Sequence, residues 1–564
     1  MFDLVGVGFG PANMGLCIAL HESETAKQQG FSMCFLERQP QFAWHPSLLL
    51  PGAQLQVSPL KDLATMRDPT SSFTFLNYLH SQGRLVGYIN REDTIPSRRE
   101  WSAYLAWAAR RMHQYVRYGT NVLDIQPVHG TDGKVSFLRI SYQDDSTGEV
   151  SQVDARNVAI AVGGNANVPS AFESLYAWPP RGEQSAAPVV HSSTFLPQME
   201  QLGPLLHRRE AEGKHLRLAV VGGGQSAAEM LRYLHDRYPL ADIDMVFRAS
   251  ALSPSDDSPF VNSAAFDPDA SSKFWELPAA YRREVLREFK RTNYSVVNPT
   301  LLSELYDLVY DQTVDLPGPP RGSVRILPRT RVDVAERTER GVRLHLASCM
   351  GDEARDADYD GVFLGTGFVR NAWRVPFVRS LAPHFSLLSE QGSEQLNNAQ
   401  LQREMHIRKG PDADAERAAA RGITRDYRLV PAEPQQWQAD RQMLSSAAHR
   451  ILDASHVNHR IQHEVSGQRA HSSGSLSSGP QSVVSDNDSA VSGSQVLTPA
   501  STCQSEAEGD DVRRDAPPAV YLMGCNEATH GLADSLMSMV AHRAGVVAAS
   551  ILERPGSAKI AAHA

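Results

Sequence analysis

Short apolar runs that end in glycine and lead into a helical pattern are the recurring unit of this chain. The first covers Asp3–Val7, meets the turn Gly8-Phe9-Gly10-Pro11-Ala12-Asn13, and passes into a helix predicted from Pro11 to His21. Its Met14, Leu16, Ile18 and Leu20 pack that helix onto a sheet. A strand over Ser32–Leu36 follows and ends in Glu37. The unit then repeats: a strand over Leu216–Val221, the turn Gly222-Gly223-Gly224-Gln225-Ser226-Ala227, a helix, and a strand over Ile243–Phe247 that runs into Arg248. Each copy closes with an apolar strand running into more glycine, Asn157 to Gly164 and Val362 to Gly367. A duplicated unit of this kind predicts an α/β fold with two Rossmann-like nucleotide-binding parts.

A glycine turn between a strand and a helix lets the backbone approach a pyrophosphate, and the helix N-terminus behind it offers unpaired N–H groups. Two such turns predict two dinucleotides, with Gly8, Gly10, Pro11 and Asn13 at a flavin and Gly222, Gly224, Gln225 and Ser226 at a nicotinamide cofactor. Glu37 stands where a ribose hydroxyl is gripped. Arg248 stands at the equivalent place in the second unit, where a cation suits a 2′-phosphate and so favours NADPH over NADH.

From about Gly467 to Asp515 the chain is rich in serine and glycine and poor in large apolar groups, which predicts a disordered insertion. Folded sequence resumes at Ala519–Gly524, with a helix expected from about Ala533. The polar stretch Arg408–Arg421 reads equally as a solvated helix or a loop. Acidic residues outnumber basic ones, 64 to 55, and no Lys/Arg block interrupts the balance, so nucleic acid is not an expected partner. Five cysteines without C-x-x-C spacing suggest neither a zinc site nor a dithiol pair, and no other metal site is expected. The early first strand leaves no room for a leader and no run is long enough to span a membrane, so a cytoplasmic protein is expected.

Longer motifs narrow the class. Phe42-Ala43-Trp44-His45-Pro46, the run Leu55 to Pro69 containing Gln56 and Lys61, Ser255-Asp256-Asp257-Ser258-Pro259-Phe260-Val261-Asn262, Thr292-Asn293-Tyr294-Ser295 and Asn526 to Asp534 occur in this order. Together they resemble the N-hydroxylating flavin monooxygenases that act on ornithine or lysine in siderophore synthesis, the ornithine enzymes most of all. The resemblance implies FAD and NADPH as cofactors, L-ornithine and O2 as substrates, addition of oxygen to reduced flavin as a hydroperoxide, attack by the side-chain amine, and a homotetramer. It implies an FAD-binding domain over 1–205, an NADPH-binding domain over 206–370 with inserted helical substrate-binding elements, continuation of the substrate and FAD parts over 371–466, the insertion over 467–515, and a C-terminal part of the FAD domain over 516–564. Lys61, Asn262, Asn293 and Ser538 resemble the amino-acid-binding positions, Trp44, His45, Gln56 and Leu536 flavin-contacting ones, and Asn293 and Tyr294 also border the NADPH site.

Three positions depart from the general patterns. Asn13 replaces a third glycine, as it does in the resembled family; Gly365 and Phe368 stand where alanine and tyrosine are common; Pro59 stands where a large apolar residue is common. Lysine or a diamine remains an alternative substrate, since one methylene is not legible in the residues. From another class, a non-catalytic NADPH-binding regulator shares the glycine turns.

Overall fold

The structure, a computed structural model, describes residues 1–91, 94–176, 188–314, 321–339, 341–389, 404, 407, 412–433 and 517–554. The predicted insertion lies outside the described residues, and 371–466 is described in part.

The first sheet is built around β1 (Phe2–Val7), which runs parallel to β2 (Met33–Glu37) on one side; β3 (Val116–Tyr118) pairs beyond β2. Leu4 and Val5 are both fully buried although they point to opposite faces. That two-sided burial is why β1 reads as a continuous apolar run and not as an alternation. On the other side a hairpin of β4 (Thr120–His129) and β5 (Val135–Asp144) leads into β6 (Val150–Ile160). The C-terminal half of β6 lies parallel to β1, with Val158 opposite Val5.

After a two-residue β7 (Asn165–Ala166), the second sheet takes the order β11-β10-β9-β15-β8, every neighbouring pair parallel. Its strands are β8 (Val189–His191), β9 (Arg217–Val221), β10 (Asp242–Val246), β11 (Val324–Leu327) and β15 (Gly361–Leu364). The edge strand β8 pairs with β15 in parallel, Val190 opposite Phe363. Between β11 and β15 the chain adds an antiparallel meander of β12 (Thr330–Arg337), β13 (Val342–Ser348) and β14 (Ala354–Tyr359). A short β16 (Phe368–Val369) then pairs back onto β7.

β17 (Ala519–Leu522) returns to the first sheet and lies parallel to β6, Val520 opposite Val158. One edge of the long β6 is thereby shared end to end, by β5 along its first half and β17 along its second. The helix Val540–Leu552 that follows packs on the helix Pro11–Glu22, where Gly15 allows the approach: a Cβ there would meet Val540 Cγ1 at 3.0 Å. The expected helix from Ala533 starts later, at Val540. Gly531 (φ +89°) and the extended Leu536 break residues 532–539 into two single tight turns.

Four helices, Pro259–Phe266, Pro268–Glu276, Ala279–Asn293 and Pro299–Asp311, fill the connection from β10 to β11. They are fastened to the rest by a buried charge cluster. Arg282 reaches Glu404 with two nitrogens at 2.7 and 3.1 Å, Arg421 does the same at 2.9 and 3.1 Å, and Arg282 Nε also donates to Ala528 O at 2.9 Å. Arg421 ends a helix over Ala413–Arg421 whose Ala413, Ala418 and Ala420 are buried, so of the two readings of the polar stretch, solvated helix or loop, a helix forms here and turns one face inward.

Candidate functional site

Both glycine turns sit at the C-terminal ends of parallel strands, where ligands of open α/β sheets bind. Gly8 has φ +83°, and a Cβ on it would lie 2.8 Å from Ala161 O; Gly222 has φ +135°, and its Cβ would lie 2.4 Å from Gly365 O. Neither position admits another residue without moving backbone. Gly10 has no neighbour within 4 Å of its missing Cβ. The helices that begin at Pro11 and Gln225 carry no side-chain cap, so their first N–H groups face outward from the turns. Asn13, buried, donates to Gly8 O at 2.7 Å and Val7 O at 3.1 Å, fastening the first turn from beneath. Glu37 accepts from Phe9 N–H at 2.7 Å and Gln39 N–H at 2.9 Å, which sets its carboxylate beside that turn with acceptor capacity to spare. These cradles fit the pyrophosphates of two dinucleotides.

Arg248 is exposed two residues past β10, and Phe247 before it lies 3.2 Å from the missing Cβ of Gly223 in the second turn; among the described residues no ion pair engages Arg248. The Trp44 and His45 rings meet edge to face at 5.0 Å, and His45 lies 6.1 Å from Phe368, so this pair spans from the first domain to the strand after β15. Gln56 donates to Gln225 Oε1 at 3.3 Å, which brings a residue expected at the flavin against one expected at the nicotinamide cofactor.

Of the four amino-acid-binding candidates, Lys61 and Asn262 are in direct contact. Lys61 Nζ donates to Asn262 Oδ1 at 3.2 Å and lies 5.4 Å from the Phe266 ring centre. Asn262 belongs to the helix Pro259–Phe266 and is fixed by donating to Asp257 O at 2.8 Å. The loop before that helix is stitched to the Asn293 segment, because Asp256 N–H donates to Thr292 O at 3.2 Å and Ser255 N–H to Val297 O at 2.9 Å. Burial lowers the pKa of the Lys61 ammonium, and Asp267 and Asp257 oppose that shift. Asn293 Oδ1 accepts from Thr292 Oγ1 at 2.6 Å. Ser295, two residues on, brings its Cα within 3.3 Å of the missing Cβ of Gly224, so this segment abuts the second glycine turn.

Phe266, Met539, Tyr294 and Leu536 belong to one apolar cluster, and Ser538 lies in the tight turn beside Met539. Ser538 is buried and its Oγ has no hydrogen-bond partner among the described residues. A buried hydroxyl without a partner is costly unless a ligand supplies one. His530 stacks on Tyr427 at 4.1 Å, bonds to Thr529 Oγ1 at 2.9 Å, and burial lowers its pKa to about 4. It is therefore neutral at physiological pH.

Two groups of contacts escape the sequence patterns, although Tyr294 itself was expected beside the NADPH site. Tyr294 OH receives a hydrogen bond from Arg370 at 3.2 Å, lies 3.1 Å from Ser535 Oγ and bonds to Glu527. Arg98 and Glu229 form an ion pair across the two domains. The i, i+4 spacing of Gln225 and Glu229 on one helix face was the available signal for the second group. In the first, Tyr294 and Glu527 lie in the quoted motifs, but nothing local announces their contact with each other or with Arg370.

A mixed sheet with a parallel core and a wholly parallel sheet, each headed by a glycine turn and a helix without a side-chain cap, with the half-buried Lys61, Asn262 and Asn293 beside them, define a two-dinucleotide oxidoreductase fold. The sequence model for L-lysine 6-monooxygenase/L-ornithine 5-monooxygenase matches residues 1–370. The L-ornithine N(5)-monooxygenase of Mycosarcoma maydis is 40% identical over 604 residues, covering 98% of this chain and 85% of that one. That of Ceriporiopsis subvermispora is 33% identical over 97% of both chains. Among solved structures, the ornithine hydroxylase of Pseudomonas aeruginosa superposes with a TM-score of 0.69 at 30% identity, covering 98% of this chain and 99% of that one. An ornithine N-hydroxylase of Kutzneria, described with reduced FAD, NADP+ and L-ornithine, superposes with a TM-score of 0.67 at 28% identity over 98% of this chain and 99% of that one. The chain belongs to the L-lysine 6-monooxygenase/L-ornithine 5-monooxygenase family, and it is an enzyme of the monooxygenase class. Among the described residues, no helix is long and apolar enough to cross a membrane.

Proposed function

We propose that this protein hydroxylates the side-chain (δ) amine of L-ornithine with O2, using FAD and NADPH, as the first committed step of hydroxamate siderophore biosynthesis. The observation that carries this reading is the Lys61–Asn262 pair at 3.2 Å, joined through the loop before the Pro259–Phe266 helix to the segment that holds Asn293 and so to the second glycine turn. A point-charge ammonium oriented by an amide suits a substrate carboxylate, which ornithine has and a diamine lacks. The Ser538 hydroxyl accepts from, or donates to, the substrate's δ-amine, and Asn293 engages the amino-acid end. Phe266, Leu536 and Met539 line the apolar side of this site and exclude water from it.

Gly8, Gly10 and the first N–H groups of the Pro11–Glu22 helix bind the FAD pyrophosphate, with Glu37 at its ribose. Gly222, Gly224, Ser226 and Arg248 do the same for NADPH. The bound cofactors supply the reducing equivalents and the oxygen activation. Product analysis by mass spectrometry, with ornithine, lysine and putrescine offered in parallel to protein, FAD, NADPH and oxygen, tests the proposal. Hydroxyornithine as the main product is the expected result; hydroxylation of lysine or putrescine in its place overturns the substrate assignment.

Arg248→Ala is expected to raise KM for NADPH by roughly 10–100-fold, the cost of a charged hydrogen bond to phosphate, and KM for NADH less than about threefold. Steady-state oxidation of both cofactors measures the ratio. Equal losses would remove Arg248 from the 2′-phosphate.

A further inference from the structure

A chain of polar contacts crosses between the two domains. Gln56 Nε2 donates to Gln225 Oε1 at 3.3 Å, and the same oxygen accepts Asn298 N–H at 2.7 Å. Gln225 Nε2 donates to Glu229 Oε1 at 2.9 Å. The other Glu229 oxygen accepts from Arg98 Nη1 at 2.6 Å, and that nitrogen reaches Leu48 O at 3.4 Å. Glu229 is 6% exposed, and its helix neighbours Ala227, Ala228, Met230 and Leu231 are fully buried. A carboxylate in such surroundings is retained only with partners for both oxygens, and here the partners lie on two different domains.

The chemistry of these groups is directional. A side-chain amide has a donor end and an acceptor end of nearly equal shape, so its orientation is decided by its partners. An ionised carboxylate only accepts. Glu229 therefore turns Gln225 Nε2 toward itself and presents Oε1 to Gln56 and to Asn298 N–H, while Arg98 fixes the carboxylate by a charge-assisted bond. We infer that Glu229 is a positioning residue, which sets the amide orientation of Gln225 and through it places Gln56 and the second glycine turn in fixed relation to the flavin side of the crevice. The inference rests on the FAD and NADPH assignment above. Its consequence is alignment for hydride transfer, which is sensitive to sub-ångström placement.

Two readouts test it, one with no cofactor and neither with ornithine. Hydrogen exchange at the Asn298 amide reports the Gln225 orientation directly. In Glu229→Leu that amide is expected to exchange about tenfold faster, as for loss of one well-formed hydrogen bond, while exchange in β9 and β10 stays unchanged. Glu229→Gln keeps the shape of the side chain but has one acceptor oxygen, which Arg98 claims, so its amide nitrogen faces Gln225 and the Asn298 amide is expected to lose protection here as well. Anaerobic stopped-flow reduction of the flavin by NADPH is expected to slow by about tenfold or more in Glu229→Leu, with FAD affinity unchanged. Wild-type exchange at Asn298 in Glu229→Leu, or faster exchange spread through β9 and β10, overturns the inference. If NADPH fails to reduce the flavin of the unmutated protein, the cofactor assignment fails, and the exchange at Asn298 still decides what Glu229 does.

Discussion

Replacing Lys61 with alanine is expected to raise the ornithine concentration needed for turnover by roughly 10–150-fold, which corresponds to about 1.5–3 kcal/mol for a hydrogen bond to a charged partner. FAD affinity and the rate of flavin reduction by NADPH are expected to remain close to those of the unmutated protein. The separation follows from position: Lys61 bonds to Asn262 of the helical insertion and stands over Phe266, while the glycine turns have their own cradles. Removing the ammonium also leaves Asn262 Oδ1 without its donor, so part of the loss is misorientation of that amide. The effect should appear in KM more than in kcat, because the carboxylate end of the substrate is bound alike before and during the reaction. Titration of initial rate with ornithine, alongside flavin absorbance, decides it; unchanged ornithine dependence removes Lys61 from the site.

The largest expected loss of stability comes from Glu404. Its side chain and that of Arg282 are each 2% exposed, and that of Arg421 is 1% exposed. Glu404→Ala leaves two guanidinium groups buried beside each other without a counter-charge, an expected cost of about 3–5 kcal/mol. Because Arg282 also donates to Ala528 O, the damage should reach the loop that leads to Ser538. Urea unfolding of the two proteins measures the difference, and a midpoint within experimental error of the unmutated one refutes it.

The same cluster has a pH signature. Burial pushes the Glu404 pKa up, but hydrogen bonds from Arg421 and Arg282 outweigh it, so the carboxyl lies below its ordinary value. A carboxyl whose folded pKa is depressed stabilises the fold above the ordinary glutamate pKa of about 4.3. That contribution fades as pH falls through this value toward the folded one. Glu404→Gln, which cannot titrate, should lack this part of the acid-induced decline in stability.

The two nucleotide-binding parts were legible because their signal is local. A strand, a glycine turn and a helix are contiguous, and the positive φ of Gly8 and Gly222 is a demand that only glycine answers cheaply. Lys61 was singled out only through its flanking motif; by type it reads as a surface lysine. The Arg98–Glu229 and Arg282–Glu404 pairs were not legible, since their members lie 131 and 122 residues apart. Helix ends failed for a related reason. The start of the last helix depends on the backbone of Gly531 and Leu536, which hydrophobic periodicity does not register.

The return of β17 to β6 matters for how the protein is made. All five strands of the second sheet lie between Val189 and Leu364, so they have left the ribosome well before residue 519 is added. The first sheet by then has β1 to β6 but only half of one edge of β6 covered. A nascent chain thus carries one finished sheet beside one with an open edge, and Val520, fully buried at the end, fills that gap last. Exposed strand edges invite pairing with other chains. The interval between synthesis of β6 and synthesis of β17 is accordingly the period when chaperone protection would matter most.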